Sequence, residues 1–228
     1  MTCRYSYLIP IAILIGTFAS TLCAQTDSTP EEIGEIRTRA EEGNAQAPYD
    51  LAYMYGAGKV VPQDFTEMVR LLRLAGNQGH VKGQYDIASI YDKGLLGIPK
   101  DAVEANRWFR LAADQGYTQA HYALGLAYSD GKGVPQDAVE ALRWYRLAAD
   151  NGHANGQFLA GAMLLEGKGI PIDYVEAHLW LNLYAAQSSG EDRETAADAR
   201  DLAARQMTSE QLVEAQRLAR EWKPAAER

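Results

Sequence analysis

Cysteine is almost missing from this chain: the 228 residues hold two, Cys3 and Cys23, both within the first two dozen positions. The rest has no disulfide framework to draw on, so packing alone must stabilise it. After residue 24 no apolar run approaches the roughly 20 residues that a membrane-spanning helix requires. Positive charge is short as well, with 22 Lys and Arg against 30 Asp and Glu and a formal net charge of −8. Such a surface disfavours nonspecific binding to nucleic acid or anionic lipid. No segment alternates with the period of two that marks strands. No glycine-rich phosphate loop can therefore follow a strand.

The first residues read as an export signal. Arg4 precedes an apolar stretch from Leu8 to Phe18, and the small, polar run ASTLCAQ follows. That order of basic, apolar and small segments is a secretory signal peptide. Cleavage is expected after Ala24, which leaves Gln25 first and removes one basic and no acidic residue, for a balance of 21 against 30, or −9. Ser20 stands where a lipoprotein signal wants Leu, which argues against acylation of Cys23. The expected location is the periplasm or the exterior, with no integral membrane segment left after cleavage.

The dominant feature of the remainder is repetition. DFTEMVRLLRLAGNQGH from Asp64, DAVEANRWFRLAADQGY from Asp101, DAVEALRWYRLAADNGH from Asp137 and DYVEAHLWLNLYAAQSS from Asp173 follow one another at 37, 36 and 36 residues. A period of this size means stacked supersecondary units, each too small to bury its own apolar face. The boundaries are 1–24 for the signal, 25–44 for an N-terminal capping helix, 45–80, 81–117, 118–153 and 154–189 for four repeats, and 190–228 for a helical C-terminal cap.

Within a repeat, a first helix is broken by turns such as Gly131-Lys132-Gly133-Val134-Pro135, and a second helix starts at the Asp. Asp64/Glu67, Asp101/Glu104, Asp137/Glu140 and Asp173/Glu176 have capping-box spacing. Gly79, Gly116 and Gly152 end second helices where a left-handed residue is needed, while Ser188 at that phase signals the end of regular stacking. Ala52, Ala88, Gly125 and Gly161 share a phase that permits close helix approach. Trp108, Trp144 and Trp180, with Leu71 in the first copy, share a core phase. Thr29, Pro30 and Glu32 form a helix start, and the segment to Gly43 imitates a lone second helix. The class is all-α.

The pattern Ala-x-x-x-Leu-Gly-x-x-Tyr-x-x-Gly-x-Gly-Val-x-x-Asp-x-x-x-Ala-x-x-Trp-Tyr-x-x-Ala-Ala-x-x-Gly, nearly intact from Ala120 to Gly152, resembles the Sel-one-like repeat, a relative of the tetratricopeptide repeat. The ending MTSEQLVEAQRLAREW is similar to that of bacterial members. The resemblance implies an α/α solenoid, a right-handed superhelix of stacked helical hairpins, acting as an adaptor for another protein or peptide in the periplasm or envelope. It departs at Val60, in the place of Gly133, and at the extra residue of the Leu95-Leu96-Gly97 turn. Both departures are expected to alter loops only.

The chemistry-bearing residues point the same way. His80 and His153 share a phase and read as packing or polar surface. His121 and His178 have no second ligand at metal spacing, so no metal and no cofactor is expected. Ser129-Asp130-Gly131-Lys132 matches the Ser-x-x-Lys pattern of penicillin-recognising enzymes. The Lys is repeated at Lys59 and Lys168, however, and no companion motif follows, so no catalytic residue is assigned. Arg70, Arg107 and Arg143, with Arg73, Arg110 and Arg146, read as a solvated face paired with acids. Individuality should lie where the copies differ. On the first helices these positions include Asp50, Tyr53, Asp86, Ser89, Leu126 and Leu159, the candidate partner groove. The expected function is non-catalytic protein–protein interaction, in envelope signalling or assembly; the alternative is an enzyme acting on peptidoglycan or β-lactams.

Overall fold

The computed structural model describes residues 30–225. The segment expected to be a signal peptide, Cys3, Cys23 and Thr29 lie outside the described residues. Eleven helices and no strand occur among them: α1 (Pro30–Glu41), α2 (Gln46–Ala57), α3 (Phe65–Asn77), α4 (Val81–Lys93), α5 (Ala102–Asp114), α6 (Thr118–Asp130), α7 (Ala138–Asp150), α8 (Ala154–Glu166), α9 (Tyr174–Gln187), α10 (Gly190–Ala204) and α11 (Ser209–Glu221). They fall into two compact units, residues 1–100 and 101–228. In the first, α1 packs on α2, α2 on α3 and α3 on α4. In the second, α5 to α10 pack each on the next, so antiparallel helices stack in chain order.

Each second helix starts where its Asp allows. Asp64, Asp101 and Asp173 accept a hydrogen bond from the backbone N–H three residues on, at 2.9–3.0 Å, and Asp137 accepts from both Val139 and Glu140. The box expected from the sequence is only half built. Glu67, Glu104 and Glu140 turn to Arg70, Arg107 and Arg143, and Glu104 and Glu176 accept from the indoles of Trp108 and Trp180 at 2.8 and 3.0 Å. At Glu104 and Glu176, satisfying a buried indole N–H outweighs closing a solvated box, whereas Glu67 and Glu140 turn to an arginine on their own helix. A reciprocal box forms instead at Thr208 and Gln211 on α11.

Second helices α3, α5 and α7 close alike. Gly79, Gly116 and Gly152 take φ of 88°, 82° and 81°. The following N–H groups of His80, Tyr117 and His153 return to the carbonyls of Ala75, Ala112 and Ala148 at 2.9–3.1 Å. The small-residue phase is buried throughout, and a Cβ on Gly125 would overlap the Tyr145 ring. Trp108, Trp144, Trp180 and Leu71 are all buried. The loop departures leave the helices intact: α2 and α4 keep 12 and 13 residues, although Leu96 takes φ +55° in the enlarged turn.

The end of the chain departs from regular stacking. α9 runs on to Gln187, Ser188 is extended, and α10 begins at once. α11 then packs on α9, and Trp222 meets Trp180 edge to face at 6.4 Å. Eight residues after each cap stand Leu72, Phe109, Tyr145 and Leu181, all buried. The same place after Thr208 is Gln216, which is exposed. Lacking an apolar residue there, α11 turns its Ala215, Leu218 and Trp222 stripe elsewhere.

Candidate functional site

Three series of side chains recur between neighbouring helices, and together they employ most of the polar groups that could have suggested chemistry. The first ties an arginine to the following first helix. Arg37 donates to the Tyr55 hydroxyl and Arg110 to that of Tyr128, each at 2.6 Å, and Arg73 does so to Tyr91. Leu164 replaces the tyrosine in the last repeat, and Arg146 pairs with Glu176 on α9 instead. Leu179 stands where Glu176 would otherwise find its local arginine. The expected acid-paired stripe thus holds for Arg70, Arg107, Arg143 and Arg146, whereas Arg73 and Arg110 hold tyrosines.

The second series satisfies carbonyls near the ends of second helices. Gln84 Nε2 donates to Gly76 O at 3.0 Å, Gln157 Nε2 to Ala149 O at 3.4 Å and Arg193 Nε to Ala185 O at 3.2 Å. His121 Nε2 lies 3.0 Å from Ala113 O, and a carbonyl can only accept, so this nitrogen carries the proton. Pro48 has no donor at this phase, and Gln78 bonds the equivalent Ala40 O in its place, at 3.0 Å. His121 thereby ties α6 to the end of α5. Burial pushes its pKa down, as it does that of His178.

The third series caps first helices. Nδ1 of His80 and His153 accepts from the N–H groups of Gly83 and Gly156 at 3.0 and 3.1 Å. His153 also stacks on Tyr122, with centroids 4.5 Å apart. The sequence reading recognised packing here but missed the cap, because histidine is not among the usual capping residues. An accepting Nδ1 requires the neutral ring, and burial lowers both pKa values. No cluster of three His, Cys, Asp or Glu side chains suited to a metal exists among the described residues.

The candidate groove divides. In the first unit, Tyr53 donates to Asp86 Oδ2 at 2.6 Å, joining α2 to α4, and Tyr49 lies against both Tyr53 and His80 at 4.9 and 4.1 Å between centroids. Removal from water raises the Asp86 carboxyl to about 6, against the opposing pull of the Tyr53 and Tyr49 hydroxyls. Burial and the neighbouring Asp86 carboxylate push Tyr53 up as well. Asp50 is half-buried and accepts from Gln46 at 2.7 Å. Ser89 does not face a partner: it is 4% exposed, and its hydroxyl donates to Tyr85 O. In the second unit Leu126 and Leu159 are half-buried against a core that includes Tyr145 and Leu164. What stays exposed on these faces is their edge, at Gln46, Lys82 and Lys93 in one unit and Gln119, Asp130, Asn155 and Glu166 in the other. In the Ser-x-x-Lys segment, Lys132 Nζ lies 2.6 Å from Asp130 in a half-exposed ion pair.

Known proteins match this architecture. The Sel1 repeat model matches residues 45–80, 81–117, 118–153 and 154–189. A protective antigen of uropathogenic Escherichia coli, c5321, which displays the SLR fold, is 27% identical with a TM-score of 0.50. The match covers 89% of this chain but only 50% of the antigen, so the chain spans half of that relative's length. A Sel1 repeat protein from Oxalobacter formigenes is 30% identical with a TM-score of 0.55, over 57% of this chain and 98% of its own. No curated protein matches. A four-fold match across most of the described helices, with solved Sel1 neighbours, makes this chain a member of the Sel1 repeat family.

Proposed function

We propose that this chain is an exported scaffold that binds another protein or peptide in the periplasm or envelope, serves signalling or assembly there, and performs no catalysis. The observation that carries the reading is the employment of its polar side chains. Capping aspartates, arginines, buried amides and histidines recur in phase and are employed in starting helices, in pairs along them or in ties between them, while residues that differ between copies edge the first-helix faces. Asp130 holds Lys132, and that lysine recurs in two other turns, which supports a structural role for this segment over an activating role beside Ser129. Family membership supports protein partners. No helix among the described residues is long and apolar enough to cross a membrane.

Two measurements test the proposal. Purified protein should not turn over nitrocefin; turnover that disappears in Ser129→Ala would establish the enzymatic alternative. Lys82→Glu, Gln119→Arg and Asn155→Arg together should leave the melting temperature unchanged and abolish capture of the partner recovered by wild-type protein from periplasmic extract. Capture undiminished by all three would remove the first-helix faces as the binding surface.

A further inference from the structure

The described helices begin with a lone second helix and end with an unclosed first helix, and these two ends are complementary. The register of α1 is set by Arg37, which holds Tyr55 across 18 residues as Arg73 holds Tyr91. In that register Ile36 is the counterpart of Leu72, Phe109, Tyr145 and Leu181. All four counterparts are buried, whereas Ile36 is partly exposed. Among the described residues no first helix precedes α1 to cover it.

The register of α10 is set in the same way by Arg193, whose bond to Ala185 O repeats those of Gln84 and Gln157. Ala197 is then the counterpart of Ala52, Ala88, Gly125 and Gly161. These four are buried, and two of them show what buries them. A Cβ on Gly125 would overlap the Tyr145 ring, and one on Gly161 would come within 2.8 Å of Leu181 Cγ. Ala197 is only half-buried, because α11 packs on α9 instead. So α1 carries a large apolar residue without its small partner, and α10 carries a small residue without its large one.

We propose that the occupant of each face is a second copy of this chain, associating head to tail with Ile36 of one copy seated on Ala197 of the next. The contact continues the helix-hairpin interface already formed within the chain, and no new packing rule is needed. It is heterologous, since the two faces are different surfaces, so each copy retains one free end. Both helices carry excess acid: Glu31, Glu32, Glu35 and Glu41 against Arg37 and Arg39 on α1, and Glu191, Asp192, Glu194, Asp198 and Asp201 against Arg193 and Arg200 on α10. Salt screens that repulsion, so association should strengthen as ionic strength rises.

Sedimentation velocity on the whole protein tests the proposal, with mass followed against protein and salt concentration. Wild-type mass should rise with both. Ile36→Lys and Ala197→Glu should each remain monomeric with unchanged circular dichroism. An equimolar mixture of the two variants should form dimers and nothing larger, because each variant retains the face the other has lost. A wild-type mass independent of concentration would overturn the proposal, and so would a mixture that stays monomeric. A photo-crosslinker at position 36 that captures residues 1–29 of its own chain, or a different protein, would overturn it by naming another occupant. Capture of α10 from a second copy would support it, even if one of the substituted variants failed to fold.

Discussion

Tyr53 and Asp86, 33 residues apart, share a hydrogen bond of 2.6 Å that fastens α2 to α4. Both belong to positions that differ between repeats, so this contact is private to the first unit. The carboxyl also faces Tyr49 and Lys82, and its loss of hydration still raises it to about 6 from an ordinary 3.8. A raised carboxyl stabilises the fold least when ionised. Stability from this group is complete below pH 3.8 and declines as pH rises towards 6. Asp86→Asn keeps an acceptor for Tyr53 without the charge. Chemical denaturation should show the variant more stable by about 1–3 kcal/mol at pH 7.5, with the advantage vanishing near pH 3.5. Equal stability at both pH values would contradict the assignment.

His153 behaves in the opposite sense. Its pKa is lowered by burial, and its cap requires the neutral ring. The unfolded chain takes up a proton first as pH falls below about 6.5, so this contribution is complete above that value and lost below it. His153→Asn supplies a capping oxygen that does not titrate. The variant should match wild type at pH 7.5 within roughly 1 kcal/mol and lose less stability than wild type between pH 6.5 and 5.

Gly125 lies under the Tyr145 ring, which is 1% exposed and has nowhere to move. Gly125→Ala ordinarily favours a helix by roughly 0.5–1 kcal/mol. Here overlap should dominate and destabilise by about 1–3 kcal/mol, measured by denaturant midpoint. The same substitution at Gly34, where a Cβ meets no atom within 4 Å, should be neutral or stabilising.

Asp137 receives two backbone N–H groups, where the other capping aspartates show one each. Asp137→Ala should cost about 1–2 kcal/mol. Glu140→Gln should cost less, since its carboxylate meets Arg143 on an exposed face. Were Glu140→Gln the more damaging, the capping box would be closed in solution after all.

Much of the scaffold was legible because repetition reports physical demand four times over. The capping aspartates, the tryptophan phase and the small-residue phase each fill the place their recurrence implied. Three things were hidden for definite reasons. Glu104 and Glu176 have a competing donor in the indole one turn on, Glu67 and Glu140 have one in the arginine three residues on, and spacing alone does not say which wins. His80 and His153 cap helices through a ring nitrogen, a role that histidine rarely signals. Ser89 varies between copies although it is buried, so its variation reflects what packing tolerates and not an exposed surface. Variation marks freedom from the repeat rule, and only exposure turns that freedom into a surface.

The central claim is that recurring positions hold the helices and non-recurring edge positions do not. The most direct measurement is a substitution scan of the third repeat, Thr118–His153, with each variant scored by denaturant midpoint. Loss of stability should concentrate at His121, Gly125, Asp137, Trp144 and Gly152, with Gln119 and Asp130 near wild type. A scan in which Gln119 and Asp130 proved as sensitive as Trp144 and Asp137 would contradict it.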